Sequence, residues 1–160
     1  MTDPDQHQDQ DQDQQDQQQL RIVVGVDGSE SSRAALRWAM QHAKVSGARV
    51  EAVIAWRHPT TYDWEPTGVA GDFAGNAQRT LSEELAALES LEPGVAVQPL
   101  VVEGHPVEVL LQAAKGANLL VLGCRGRGGI ASAVLGSVSL HCVLRAHCPV
   151  LVHREHPGES

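Results

Sequence analysis

The chain has 160 residues, of which 42% are hydrophobic and only 3% aromatic, enough for one domain with an aliphatic core of Val, Leu, Ile and Ala. Its formal charge is −8, but residues 1–19 hold six Asp and no Lys or Arg, so the remainder carries only −2; a near-neutral body argues against a nucleic-acid surface, and no apolar run is long enough to span a bilayer. Three cysteines, Cys124, Cys142 and Cys148, fit a reducing cytoplasm better than a disulfide framework, and no apolar stretch of the kind that directs secretion follows the N-terminus.

Residues 1–19 are almost entirely Asp and Gln, with one His. Such a segment cannot bury enough apolar area to offset its ordering entropy, and it is expected to be disordered. The signal changes at Leu20. The stretch Leu20 to Val26 is β-branched and runs into Asp27-Gly28-Ser29, a strand followed by a turn. Glu30 to Ser46 then places Ala34, Ala35, Trp38, Ala39, His42 and Ala43 at helical spacing, with Ser29 as N-cap and Gly47 as stop. Arg49 to Trp56 reads as a second strand, and Arg57 to Ala70, with Pro59 and Pro66, as a loop. Gly71 to Leu91 sets Leu81, Leu85 and Leu88 on one helical face. Val95 to Val102 is a third strand, and its Pro99 predicts an edge position because proline cannot donate to an interior ladder. A third helix opens at Gly104-His105-Pro106 and runs through Lys115. Asn118 to Leu122 is a fourth strand, Ser137 to Ala146 a fourth helix and Pro149 to His153 a fifth strand.

Strands that alternate with helices imply an α/β fold, a doubly wound five-stranded parallel sheet with helices on both faces. With order 3-2-1-4-5, strand 1 lies beside strand 4, and the chain reverses direction between them. The crevice therefore opens at their C-terminal ends. Two motifs sit there: Gly25-Val26-Asp27, and a loop that reads Gly123-Cys124-Arg125-Gly126-Arg127-Gly128-Gly129 and ends at Gly136-Ser137-Val138-Ser139. Glycines at a strand exit let backbone N–H groups approach a ligand that a Cβ would block. A helix start favours an anion through its dipole and its unpaired amides. These are the parts of a phosphate site. Asp27 alone also fits a turn residue, Ser137 an N-cap, and Arg125 and Arg127 either phosphate contacts or solvated loop charges. His141, Cys142, His147 and Cys148 lack the spacing of a zinc finger, and no metal is expected.

The opening Ile22 to Ser29, the loop pattern Gly-x2-Gly-x9-Gly-Ser at Gly123, Gly126, Gly136 and Ser137, and the ending His147 to Val152 resemble the universal stress protein family, in its ATP-binding branch. The resemblance runs from about Leu20 to His153. It implies an adenine nucleotide alpha hydrolase-like fold over residues 20–154, with a flexible end at 155–160. It implies ATP, with or without Mg²⁺, as the ligand. Asp27 would meet the ribose hydroxyls, Gly25 and Val26 would line the sugar and base, and Ala55 would present backbone to the adenine edge. Gly123 to Gly129, Cys124 among them, would wrap the ribose and phosphates. Ser137, Val138 and Ser139 would donate backbone and hydroxyl hydrogens to the phosphates. Cys124 stands where the family more often has a small hydroxyl residue; it reads either as an oxidisable thiol or as a packing residue.

The leading expectation is a nucleotide-dependent regulator of the stress response, a cytoplasmic homodimer paired through Pro149 to His153, which acts on a protein partner whose identity the sequence does not disclose. The alternatives are a slow ATPase or nucleotidyl transferase, with His58 and His105 as bases by location, and a redox or flavin module stacked on Trp56, Tyr62 and Trp64. No Walker A lysine is present, since no Gly-Lys-Ser/Thr occurs.

Overall fold

The computed structural model describes residues 19–58, 71–126 and 135–154. The acidic tail at 1–18, most of the loop after strand 2, Arg127, Gly128 and Gly129, and the C-terminal end at 155–160 lie outside the described residues. The element order is β1 (Arg21–Gly25), α1 (Glu30–Ser46), β2 (Arg49–Trp56), α2 (Phe73–Glu89), β3 (Val97–Glu103), α3 (Pro106–Ala113), β4 (Leu119–Gly123), α4 (Ser137–Arg145) and β5 (Val150–His153).

Local chemistry sets most boundaries. The Ser29 side chain accepts from the Ser32 amide, and Gly47 stops α1 in the left-handed region at φ 72°, its N–H on the Ala43 carbonyl. Asp72 caps α2 by accepting from Gly75, so that helix starts at Phe73 rather than at Gly71. Pro106 occupies the first turn of α3, and the His105 ring accepts from Val107. Asn118, read as the first residue of strand 4, instead uses its side chain to accept from the Arg21 amide (2.9 Å).

All strands are parallel, in the order β3-β2-β1-β4-β5. The expected sheet order is therefore observed. β3 is an edge, as its Pro99 requires, with Pro99 opposite Ala52. Alternate residues of each strand face opposite layers. Val24, Val50, Ala52 and Val121 pack under α1 and α2, whereas Val23, Val53, Leu120 and Leu122 pack under α3 and α4.

The face of α1 differs from the stripe read in the sequence. Ser32, Ala35, Leu36, Ala39, Met40 and Ala43 are buried, while His42 is exposed and Trp38 half-buried. Leu36 and Met40 recentre the buried face; Trp38 stacks on His42 at its margin, with centroids 5.0 Å apart. Arg33 grips the buried Glu84 with two hydrogen bonds (2.5 and 2.7 Å) and so ties α1 to α2. No helix among the described residues is long and apolar enough to cross a membrane.

Candidate functional site

The parallel pairing of β1 with β4, Ile22 against Leu119 through Val24 against Val121, brings their C-terminal ends together. A cavity of 360 Å³ opens at that junction. Gly25, Val26, Asp27 and Ala55 border it from the β1 and β2 side. Gly123, Arg125 and Gly126 border it from the exit of β4, and Gly136, Ser137, Val138 and Ser139 from the start of α4. Cys124 is not part of this lining: it is buried, and its Sγ lies 3.6 Å from Ser31 Oγ. Arg127, Gly128 and Gly129 lie outside the described residues.

Asp27 is held from both directions along the chain. Its carboxylate accepts from the Ser29 amide (2.9 Å), and its own N–H donates to Ser32 Oγ (3.3 Å). The preceding residue, Val26, is anchored on the Val53 carbonyl (2.8 Å). The second carboxylate oxygen points at Gly126, where a Cβ would stand 2.7 Å away. A side chain at Gly126 would push against this carboxylate, so the glycine permits contact between the two strand ends. Gly123 is constrained by backbone: a Cβ there would meet the Ser31 carbonyl carbon and oxygen at 2.7 Å.

The start of α1 also holds the glycine loop, a role the sequence reading missed. The Arg125 amide donates to Ser31 Oγ (3.3 Å), and Ser29 Oγ donates to the Arg125 carbonyl (3.5 Å). The Ser29-x-Ser31-Ser32 cluster was the available signal. The loop closes on itself where the Gly136 amide donates to the Cys124 carbonyl (2.7 Å).

Helix α4 starts at Ser137 as expected, while the alternative reading of Ser137 as an N-cap does not hold. The N-cap is Gly136, without a side-chain cap, and Ser137 is the first helical residue. The amides of the first turn therefore rely on something other than a capping side chain, and they sit at the cavity. Ser139 is buried, and its hydroxyl donates to the Gly123 carbonyl (2.7 Å), locking the exit of β4 onto the helix.

Five further residues border the cavity: Ser32, Val53, Pro106, Leu110 and Leu122. The aliphatic ones give the cavity an apolar wall, in the same layer as Val138 of α4. Their signal was the sheet order itself, which lays α3 over the face of β1. Both histidines considered as bases are otherwise engaged. His105 caps α3, and His58 packs edge-on against Trp56 and Phe73 (5.2 and 5.8 Å between centroids). Trp56 does not border the cavity, and Tyr62 and Trp64 lie outside the described residues. Burial of Cys142 pushes its thiol up to about 11. Among the described residues, no group of three or more His, Cys, Asp or Glu could hold a metal ion.

The sequence profile described as "Universal stress protein family" matches residues 20–154. The chain belongs to the universal stress protein family. Universal stress protein Rv2623 of Mycobacterium tuberculosis is 35% identical over 135 residues, covering 84% of this chain and 45% of the relative. The chain thus spans about half the length of the curated relatives it matches. A crystal structure described as a universal stress protein in complex with cAMP superposes with a TM-score of 0.63 at 30% identity, covering 84% of this chain and 97% of the other. A universal stress protein family structure from Burkholderia pseudomallei gives 0.64 at 29% identity, with 84% and 96% covered. Both alignments take in most of this universal stress protein domain, and the fold described above is theirs.

Proposed function

We propose that this universal stress protein chain binds an adenine nucleotide, ATP in the first instance, in the cavity between β1 and β4. The observation that carries this reading is the start of α4. Helix amides without a capping side chain border a cavity that is also lined by Asp27 and by the aliphatic residues Val26, Val53, Leu110 and Leu122. Amides at a helix start bind phosphate without the entropy cost of ordering long side chains. Asp27 is placed to accept from ribose hydroxyls, while Val26, Val53, Ala55 and Leu110 supply the apolar contact a base needs. Gly25, Gly123, Gly126 and Gly136 border the cavity and let its walls pack closely, and Arg125 adds positive charge. The related structure at 30% identity, described as a complex with cAMP, supports the nucleotide class.

Binding then alters the surface around the cavity, and a protein partner reads the change. The shift equals the ligand's differential affinity for the two states of that surface. We assign this regulatory role to a homodimer in the cytoplasm. β5 is the second edge of the sheet, all four of its residues half-buried, and pairing with a copy of itself would satisfy that edge. The test is to denature purified protein and identify the released nucleotide by chromatography and mass spectrometry, with calorimetry on nucleotide-free protein. Adenine nucleotide in stoichiometric yield, or ATP binding that Gly126→Ala weakens, supports the reading. No released nucleotide together with no heat on titration of ATP or cAMP overturns it.

A further inference from the structure

Ser29, Ser31 and Ser32 sit together where β1 passes into α1, and their hydroxyls are used differently. Ser29 Oγ accepts from the Ser32 amide (3.2 Å), and Ser32 Oγ donates to the Ser29 carbonyl (3.0 Å) and accepts from the Asp27 amide (3.3 Å). These bonds shape the turn itself; Ser29 also reaches the Arg125 carbonyl, at 3.5 Å. Ser31 works at long range. Its Oγ accepts from the Arg125 amide (3.3 Å) and lies 3.6 Å from Cys124 Sγ, partners 94 and 93 residues away along the chain. Alanine forms helix better than serine, so α1 has no need of a hydroxyl here for its own sake.

The segment that Ser31 holds carries the start of α4. The Gly136 amide donates to the Cys124 carbonyl and the Ser139 hydroxyl to the Gly123 carbonyl, both at 2.7 Å. Gly136 is the N-cap of α4, so the amides of its first turn hang on residues 123 to 125. That segment lies directly on α1: a Cβ at Gly123 would fall 2.6 Å from Ser31 Oγ and 2.7 Å from the Ser31 carbonyl. Contacts therefore run from α1, through the exit of β4, to the helix start that borders the first cavity. Ser32 holds Asp27 in the same turn, so adjacent hydroxyls fix the β1 and the β4 contributions to that cavity.

We propose that Ser31 is a positioning residue for the phosphates of the nucleotide: its hydroxyl fixes the Arg125 peptide and, through residues 123 to 125, the amides at the start of α4. This role rests on the nucleotide reading of the cavity given above. Amides set in place before the ligand arrives spare the ordering cost that binding would otherwise carry. In that reading the base and sugar lie against residues of β1 and β2, so the effect falls on the phosphates.

Ser31→Ala in the full-length chain removes the acceptor and keeps a good helix former. Without ligand, hydrogen exchange followed by NMR should show the Arg125 amide exchanging about threefold to tenfold faster than in the wild type, the range for one neutral hydrogen bond. Calorimetry should show ATP bound about threefold to tenfold more weakly, and adenosine, which has no phosphate, within about twofold of the wild type. Unchanged exchange at Arg125 would overturn the proposal. So would unchanged ATP affinity, or equal losses for ATP and adenosine, which would make the defect a general loosening of the cavity. Wild-type protein that binds neither ligand would overturn the nucleotide reading and this role with it; the wild-type titration separates that outcome from failure of the Ser31 contact alone.

Discussion

One carboxylate oxygen of Asp27 stands where a β-carbon on Gly126 would come within 2.7 Å, so the turn after β1 and the loop after β4 press together at this point. Gly126→Ala should shift the Asp27 carboxylate and narrow the cavity without touching the core. ATP affinity should drop about tenfold, the scale of 1–2 kcal/mol of overpacking, with little change in melting temperature. Calorimetry and thermal unfolding on the same preparation check this; equal affinity in the variant removes the site from that contact.

Asp27 itself should separate two roles. Asp27→Asn keeps an acceptor for the Ser29 amide but removes the charge, whereas Asp27→Ala loses both. Alanine should reduce nucleotide affinity roughly ten- to hundredfold, the range for a hydrogen bond to a charged group, with asparagine in between. The measurement is a calorimetric titration of both variants.

Arg21 joins three elements. It pairs with the buried Glu51 (2.7 Å) and satisfies two carbonyls at the end of α3. Arg21→Ala leaves Glu51 with Arg49 alone, 3.8 Å away, and takes the donor from those carbonyls, and should cost about 1–3 kcal/mol in urea unfolding. Arg21→Lys, which keeps the charge but not the fork, should fall between.

The Arg33–Glu84 pair provides a surface-anchored comparison. Glu84 raises the Arg33 guanidinium above its ordinary value, first through the hydrogen bond and then through charge. Arg33→Ala leaves a buried carboxylate unpartnered and should cost about 1–3 kcal/mol. A double mutant with Glu84→Ala should cost less than the two single changes added together.

Cys142 imposes an alkaline limit. Burial raises its thiol from 9.0 to about 11, so the folded state holds the proton more tightly than the unfolded chain does. The stability this contributes is whole below pH 9 and disappears as pH rises toward 11. Wild type should lose about 2–3 kcal/mol more than Cys142→Ala across that interval, read by urea unfolding at a series of pH values. Near-parallel curves would mean that the thiol is not protected as its burial implies.

The legible parts of this chain were those whose cause is local. Ser29 and Gly47 bracket α1 because capping depends on a few neighbouring residues. Pro99 marked an edge strand because a missing N–H matters wherever it sits. The convergence of Asp27 with the glycine loop followed from sheet order, itself a consequence of strand–helix alternation. The illegible parts depend on through-space neighbours. Ser31 holds the Arg125 amide, and Leu110 presses toward Gly25, through contacts with no signature at either position alone. Ser137 looked like a cap because hydroxyls often cap helices; only the backbone path places Gly136 there and frees the amides beside it.

The pairing of Ile22 with Leu119 has a consequence for biosynthesis. On the ribosome β1 emerges early and gains β2 on one flank, but its other flank stays open until β4 has been made. At typical elongation rates that interval lasts roughly 5–20 s. Throughout it the nascent polypeptide exposes a naked central strand, and no metabolite can yet rescue it, since the pocket has only one wall. Chaperone occupancy should therefore peak in this window and fall once β4 has left the ribosome.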